Sequence, residues 1–419
     1  MSRRLYFFAA VSALLAAPRL AAQHRYTLDD VLRAARAANA HLPVAALNVS
    51  IARQQLREAE ARRKPRVFLD GDVHDGAPPA YTSGDARLQV IGADTLFDGG
   101  RLRATQTSAE HMLRAAISGY RVTEKDIDLD VRLRFADALD AQRTIDIRRT
   151  SLDRLRAYLT LIEAMRAGGQ GVANDVLRTR ARVAAEEANV ADAERLFDDA
   201  QVDLNDLMGR PPREPLPLAD LPSPTPVRSS SDAPWRSVPD IAQADAITAA
   251  ARAGVTVARA DRRPQISITA DVGYLPTLGN SNAGTGLNTG TGAGGELTLW
   301  FTWPIWDAGV FKARLAEAQL AAEQAADSAL VVRRQAQLEW SRAIEQLDDL
   351  YQIVQLRASS VPLARDAYLQ AESMYRGGVG TALDVLDAYS AWVDAQIAEV
   401  DATRDYRQAE ARFIRWGTP

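Results

Sequence analysis

The sequence predicts a mainly α chain with a β-barrel contribution, in which a strand-strand-long-helix-helix unit occurs twice. Three observations predict it. First, Leu96-Phe97-Asp98-Gly99-Gly100-Arg101-Leu102-Arg103-Ala104 returns as Ile305-Trp306-Asp307-Ala308-Gly309-Val310-Phe311-Lys312-Ala313, and Gly168-Gly169-Gln170-Gly171 returns as Gly377-Gly378-Val379-Gly380, both displaced by 209 residues. A repeat that keeps register over such a distance has had no net insertion, as expected of long continuous helices. Second, 100–167 and 308–376 carry apolar residues at the alternating three- and four-residue steps of a coiled coil. Third, segments just before them alternate apolar and polar residues with the period of a strand.

The elements follow in chain order. Arg3 and Arg4, an apolar run over 5–17 and the small residues Ala21 and Ala22 read as a secretory signal peptide over 1–22, with the mature chain starting near Gln23. That run is shorter than the ~20 residues a spanning helix needs. No later run approaches this length, so a mature chain that enters a membrane must do so as a closed β-barrel. A helix is predicted over 26–64, broken near 39–43 and stopped by Pro65. Strands over 66–75 and 86–97 come next, the first interrupted by Asp70, Asp72 and Asp75. A helix to Ala167, a turn over 168–171 and a helix to Met208 complete a first repeat, 23–208, with its strand pair at 66–97 and its long hairpin at 99–208. The second repeat, 240–419, holds a helix over 240–263, a stop at Pro264, a strand pair within 265–305 (265–275 and 296–305) and a long hairpin over 307–416. Between the repeats, 209–239 is crowded with proline and reads as an extended connector.

Each long helix would reach ~100 Å at 1.5 Å per residue. Trp340, Ile344, Leu347, Tyr351, Val354, Ala358, Val361 and Tyr368 form the seam of one. Leu113, Ile117, Tyr120, Ile127, Val131, Ala138, Ile145, Leu152, Leu155, Leu159 and Ile162 form that of the other. The returning helices are only ~55 Å long, so the helix before each strand pair is expected to stack on their ends.

In the second strand pair Ile266, Ile268, Ala270, Val272 and Tyr274 alternate with Ser267, Thr269, Asp271 and Gly273. Leu297, Leu299, Phe301 and Trp303 alternate with Thr298, Trp300 and Thr302. A length of about ten residues suits a tilted membrane-spanning strand. Tyr274, Trp300, Trp303 and Trp306 are the candidate aromatics for a membrane-water boundary. Four strands cannot close a barrel, since the smallest use about eight, so the chain must oligomerise.

Composition excludes other classes. Net charge is −4 and no basic block occurs, so nothing points to nucleic acid. The absence of cysteine removes disulfides, thiolate metal sites and a cysteine nucleophile. Histidines 24, 41, 74 and 111 are scattered, and no phosphate loop or nucleophile-base pair is present; no cofactor, metal or enzymatic activity is expected. Asp126, Asp128 and Asp130 point in different directions on a helix and read as solvent-facing, while Asp198, Asp199, Asp203 and Asp206 are the densest carboxylates for an ion.

The chain resembles the TolC-type outer-membrane efflux factors over essentially its whole mature length. The likeness rests on the repeated strand-to-helix phrase, on Pro65 and Pro264 at the helix-to-strand junctions, and on the tip phrase over 377–387. It implies a homotrimer: a trimeric α-helical coiled-coil tunnel plus a 12-stranded outer-membrane β-barrel, four strands per chain, with 209–239 in an equatorial belt. With the chain ending at Pro419, that belt is expected to be slim. The implied role is the exit duct of a tripartite efflux or type I secretion system in a Gram-negative type envelope. Such a duct sits in outer-membrane lipid and spans into the periplasm, where an adaptor (membrane fusion) protein and an inner-membrane transporter dock and open it.

By position, Asp384 and Asp387 match the family's periplasmic gate aspartates and Asp175 is the first-repeat counterpart of Asp384, whereas Arg178 stands where the second aspartate would fall. Three copies of a carboxylate around one axis would make an anionic constriction with raised pKa values. Thr381 and Asp384 also have the spacing of a helix N-cap. Gly168, Gly169, Gly171, Gly377, Gly378, Val379, Gly380 and Thr381 are the implied adaptor-contact tips, with Gly168 and Gly377 expected in the left-handed conformation that ends a helix. Two other readings remain: a periplasmic adaptor, which has one hairpin flanked by small β-domains, and a soluble structural coiled coil with incidental strands.

Overall fold

The structure, a computed structural model, describes residues 25–74, 84–169, 172–226, 233–275, 277–278 and 292–417. The signal peptide, Asp75 and Gly171 therefore lie outside the described residues.

The first segment is two helices, α1 (Leu28–Ala38) and α2 (His41–Ala61). Thr27 and Asp30 form a reciprocal capping box that starts α1. Asn39 then goes extended, and its side chain accepts the His41 amide at 2.8 Å, which satisfies one of the donors where the chain changes direction. Strands β1 (Arg66–His74) and β2 (Gly84–Phe97) lead into α3 (Arg101–Ala167), which turns into α4 (Ala173–Leu207). After the connector come α5 (Pro239–Ala260), β3 (Gln265–Leu275), the two-residue β4 (Thr277–Leu278), β5 (Gly292–Thr302), α6 (Val310–Arg376) and α7 (Ala382–Gly417). The last strand ends at Thr302, three residues before the expected end at 305. Pro304 has no amide to donate and restrains Trp303, which ends the ladder.

The repeated phrase at the strand-to-helix junction is a cap. Asp98 accepts the amides of Gly100 at 2.9 Å and Leu102 at 2.5 Å; Asp307 accepts those of Gly309 at 3.1 Å and of Phe311. Each carboxylate thus satisfies orphan donors at the start of a 67-residue helix. The turn demands left-handed backbone: Gly99 has φ 68°, and its counterpart Ala308 has φ 54°. A side chain costs about 1–2 kcal/mol in that region. We therefore expect Ala308→Gly to be neutral to stabilising, by up to about 1 kcal/mol after the greater entropy of the unfolded glycine chain. Gly99→Ala should destabilise, because its Cβ would lie 2.6 Å from Cβ of Arg263. Denaturant midpoints in detergent check both, and equal responses would remove the strain argument.

The helices form one elongated layer. α3 packs against α4 and α7 toward the glycine turns and against α2 and α5 toward the strands, while α6 packs against α7 and α5. The end of α7 meets the start of α5 through Arg415, 4% exposed, which donates to Asp240 (2.9 Å, twice) and to Asp126 of α3 (2.8 Å). The core is accordingly strung out as separate clusters. One holds the two hairpins together near their turns, around Tyr158, Ile162, Tyr375, Tyr389 and Trp392. Another joins α1, α3 and the end of α4 to Leu216 and Leu218 of the connector.

Candidate functional site: the sheet and the helical tips

The strands of both repeats form one antiparallel sheet in the order β1-β2-β3-β5, with β4 on β2. Opposed residues share a face, so the register sorts the side chains. Val67 and Leu69 of β1, Leu88 and Val90 of β2, Ile268 and Val272 of β3, and Leu297 and Leu299 of β5 lie on one face. Asp70, Gln89, Thr269, Asp271, Glu296 and Thr298 lie on the other, with Phe68 and Ile91 among them, while Asp94, opposite Ile268, is the charged residue of the apolar face. Asp70 and Asp72 therefore do not interrupt β1 as a two-faced strand; they follow its alternation. Many residues on the apolar face are open to the surroundings, with Leu297 70% and Leu299 65% exposed. The outer edges of β1 and β5 pair with nothing among the described residues.

The four boundary aromatics do not gather in one girdle. Tyr274 is on the apolar face near the loop end of β3. Trp300 is on the polar face, where its indole donates to Thr269 at 3.0 Å. Trp303 and Trp306 follow the end of β5, 57% and 85% exposed.

At the far end of the hairpins the turns are closed by backbone bonds. The amides of Val379 and Gly378 donate to the carbonyls of Met374 and Tyr375, both at 3.0 Å, which is a Schellman closure. The left-handed residues are Gly169 and Gly378, each at φ 77°, and not Gly168 and Gly377 as expected. Gly168 and Gly377 are the last residues with near-helical backbone, and the reversal falls one residue later. Gly380 has little room: a Cβ there would meet the Tyr375 nitrogen at 3.1 Å and Met374 Cβ at 3.2 Å, so a bulky side chain would remodel the turn itself. Val379 is 76% exposed and projects freely.

The two tips differ. Thr381 donates to Asp384 from its amide (3.0 Å) and its hydroxyl (2.7 Å), and Asp384 donates its own amide back. The bond from the Thr381 hydroxyl, then that from its amide, holds the Asp384 carboxyl below the usual carboxylate range. In the first repeat Val172 stands in place of Thr381, and no side-chain cap forms. Asp175 instead adds its charge to the burial that pushes up the phenols of Tyr158 and Tyr375, whose rings meet at 6.1 Å across the hairpins. Asp387 is exposed one turn beyond Asp384.

The sequence reading missed two features. The aromatic block of Tyr368, Tyr389 and Trp392, with Arg154 at 4.5 Å over Trp392, fastens one hairpin to the other. Its signal was aromatics at seam positions. The second is where the acids of α3 go: Asp126 (58% exposed) and Asp130 (49% exposed) stay open to solvent as expected while meeting Arg415 and Arg134 (3.7 Å), and Asp128, 20% exposed, is drawn in by Arg36. They do point in different directions, but Asp126 and Asp128 each reach a neighbouring helix. Asp203 pairs with Arg134 and Asp199 with Arg195, and among the described residues no group of carboxylates or histidines could hold a metal. Nor is any described helix long and apolar enough to cross a membrane.

A family model for outer membrane efflux protein matches residues 31–210 and 236–415, one match per repeat. The chain belongs to the outer membrane efflux protein family. Sequence relatives include the pyoverdine export outer membrane protein OpmQ of Pseudomonas putida, 28% identical over 88% of this chain and 81% of that one. The toluene efflux pump outer membrane protein TtgC of Pseudomonas putida is 26% identical, over 90% and 79%. Among solved structures, the outer-membrane channel OprN superposes with a TM-score of 0.82 at 25% identity, covering 94% of this chain and 90% of OprN. VceC of Vibrio cholerae shares the fold, with a TM-score of 0.81 at 20% identity over 93% and 96%. This efflux protein therefore has the fold of the TolC-type channels, helical tunnel plus barrel, and is a channel component and not an enzyme.

Proposed function

We propose that three copies of this outer membrane efflux protein assemble into a duct for a tripartite efflux or type I secretion system. The observation that carries the reading is the sheet, with one apolar face, one polar face and two unpaired edges. In lipid each unpaired edge group would cost several kcal/mol, whereas three sheets joined edge to edge have no edge left. The helices support the same arrangement. Leu320, Val331, Leu338, Leu356 and Leu363 line an exposed stripe of α6, and Val44, Leu47 and Ile51 line one on α2. Packing α6 of one copy on the far flank of the next is a head-to-tail contact that closes into a ring.

On this reading the apolar face meets outer-membrane lipid and the polar face lines the pore. Connector 209–239 lies in a belt, residues 1–22 direct export, and the division into repeats 23–208 and 240–419 follows the duplication. The tips close the periplasmic end, with Asp384, Asp387 and Asp175 lining the constriction. The adaptor meets Val379, Thr381 and the tip glycines, and the inner-membrane transporter supplies cargo and opens the duct. Replacing Asp384 and Asp387 together by Ala should raise single-channel conductance in planar bilayers and weaken cation preference. Unchanged conductance and selectivity would remove the gate assignment.

A further inference from the structure

Where the connector crosses the helices it roofs a cavity of about 380 Å³ between α3, α6 and α7. The strap is tied on both sides. Asp220 accepts from Arg143 of α3 at 2.9 Å, Thr225 accepts the Tyr406 hydroxyl of α7 at 2.6 Å, and the Pro222 carbonyl accepts from Arg407. Asp140 of α3 lines the cavity beneath, its side chain 14% exposed. Its Oδ2 lies 3.4 Å from Arg404, and its Oδ1 is buried with no hydrogen-bond partner.

The charges around it are unbalanced. Arg404 also bonds Asp401 at 3.1 Å and Asp405 at 3.0 Å, so one guanidinium serves three carboxylates. Glu399 of α7 also lines the cavity, and Arg407 is taken up by Glu410 and the strap. On α3, Asp137 is held by Gln408 at 2.6 Å and feels Arg404 and Arg134, and less strongly Asp203 of α4, which is itself paired with Arg134. α6 contributes Val354, Gln355 and Ala358 to the cavity, none of them charged.

We propose that the Asp140 carboxyl is a proton-operated latch for the connector, holding the strap across α3 and α7 when protonated and loosening it when charged. Protonation removes one negative charge from a crowded, half-dry site and gives the carboxyl an O–H to donate. Burial above all, then the charges of Asp401, Asp137 and Asp405, push Asp140 up to about 6 against the pull of Arg404. The seated carboxyl thus binds its proton more tightly than a free one. The latch is fully set below the ordinary carboxylate value of 3.8, and its contribution is lost as the pH rises through about 6. All these groups belong to one chain, so the latch does not depend on assembly into a duct.

The chain has no cysteine, so a nitroxide on Ser223→Cys reports strap mobility from a single site. Full-length protein in detergent should show a mostly immobile spectrum near pH 5 and a mobile one near pH 8, with the immobile-to-mobile ratio changing roughly tenfold about a midpoint near 6. Asp140→Asn should stay immobile throughout, and Asp405→Asn should move the midpoint to lower pH. A spectrum that does not change between these pH values overturns the latch. So does full pH dependence surviving in Asp140→Asn, or an unmoved midpoint in Asp405→Asn.

Discussion

Leu299→Arg is expected to prevent stable insertion of the protein into the outer membrane, while Thr298→Arg, one residue away, is tolerated. Leu299 stands opposite Ile268 on the apolar face, whereas Thr298 stands opposite Thr269 on the polar one. An arginine on the lipid side of a barrel costs about 2–4 kcal/mol near the midplane, and a ring of three copies would carry that cost three times. A lumen-facing arginine stays in water and changes selectivity more than folding. The readout is the yield of heat-modifiable trimer in the membrane fraction. Equal loss for both variants would mean that the two faces do not meet different solvents, and the barrel reading would fail with it. Recovery of the unsubstituted protein as a monomer in plain buffer would favour a soluble coiled coil.

Arg415→Ala should be the most damaging change in the helical layer, at about 3–5 kcal/mol. Its side chain is 3% exposed and makes two bonds to Asp240, itself 17% exposed, at the joint where α7 abuts α5. Truncation leaves the largely buried Asp240 carboxylate without its hydrogen-bonded counter-charge, with only Lys125 nearby, and that penalty exceeds the worth of an intact pair. Arg33 offers the contrast: its side chain is 78% exposed, and its pair with Asp30 lies within one helical turn. Exposed pairs of that kind contribute about 0–1 kcal/mol. Chemical unfolding of both Ala variants in the same detergent would show a large drop for Arg415 and little for Arg33. Similar small losses would mean that the α7-α5 joint is held by packing of Trp416, Val238 and Ile241 and not by the ion triad.

Much of the architecture was readable because it is periodic. Of the seam residues, Ile127, Val131, Leu152, Ile162, Leu347 and Val354 are buried, as their three- and four-residue spacing required, whereas Ile117 is 39% exposed and Trp340, Ile344 and Val361 are only part-buried in the single chain. β3 spans 265–275 as its alternation indicated, since that pattern needs no knowledge of distant residues. Legibility ended where position depends on one bond or one neighbour. The left-handed glycine of each tip falls one residue later than expected, because closing bonds, from Gly169 to Arg166 in the first tip and from Gly378 and Val379 in the second, fix it and composition does not. The face of Trp300 follows from its pairing with Ser267 and its bond to Thr269, which aromatic content does not indicate. The ion-pair partners of Asp126 and Asp128 were not legible because Arg415 and Arg36 lie 289 and 92 residues away in the chain.

By itself the sequence determined the duplicated plan, the long helices, the two-faced strands and the hairpin turns. All are local regularities, set by side-chain period and by residues that stop or cap an element. Only the tertiary structure decided that the strands of both repeats share one sheet through β2 and β3, and that Arg415 rivets α7 to α5 across α3. It also seated the connector over Asp140. Those outcomes depend on which distant surfaces meet, because pairing energies are realised only when chain segments far apart in sequence come within reach of a hydrogen bond.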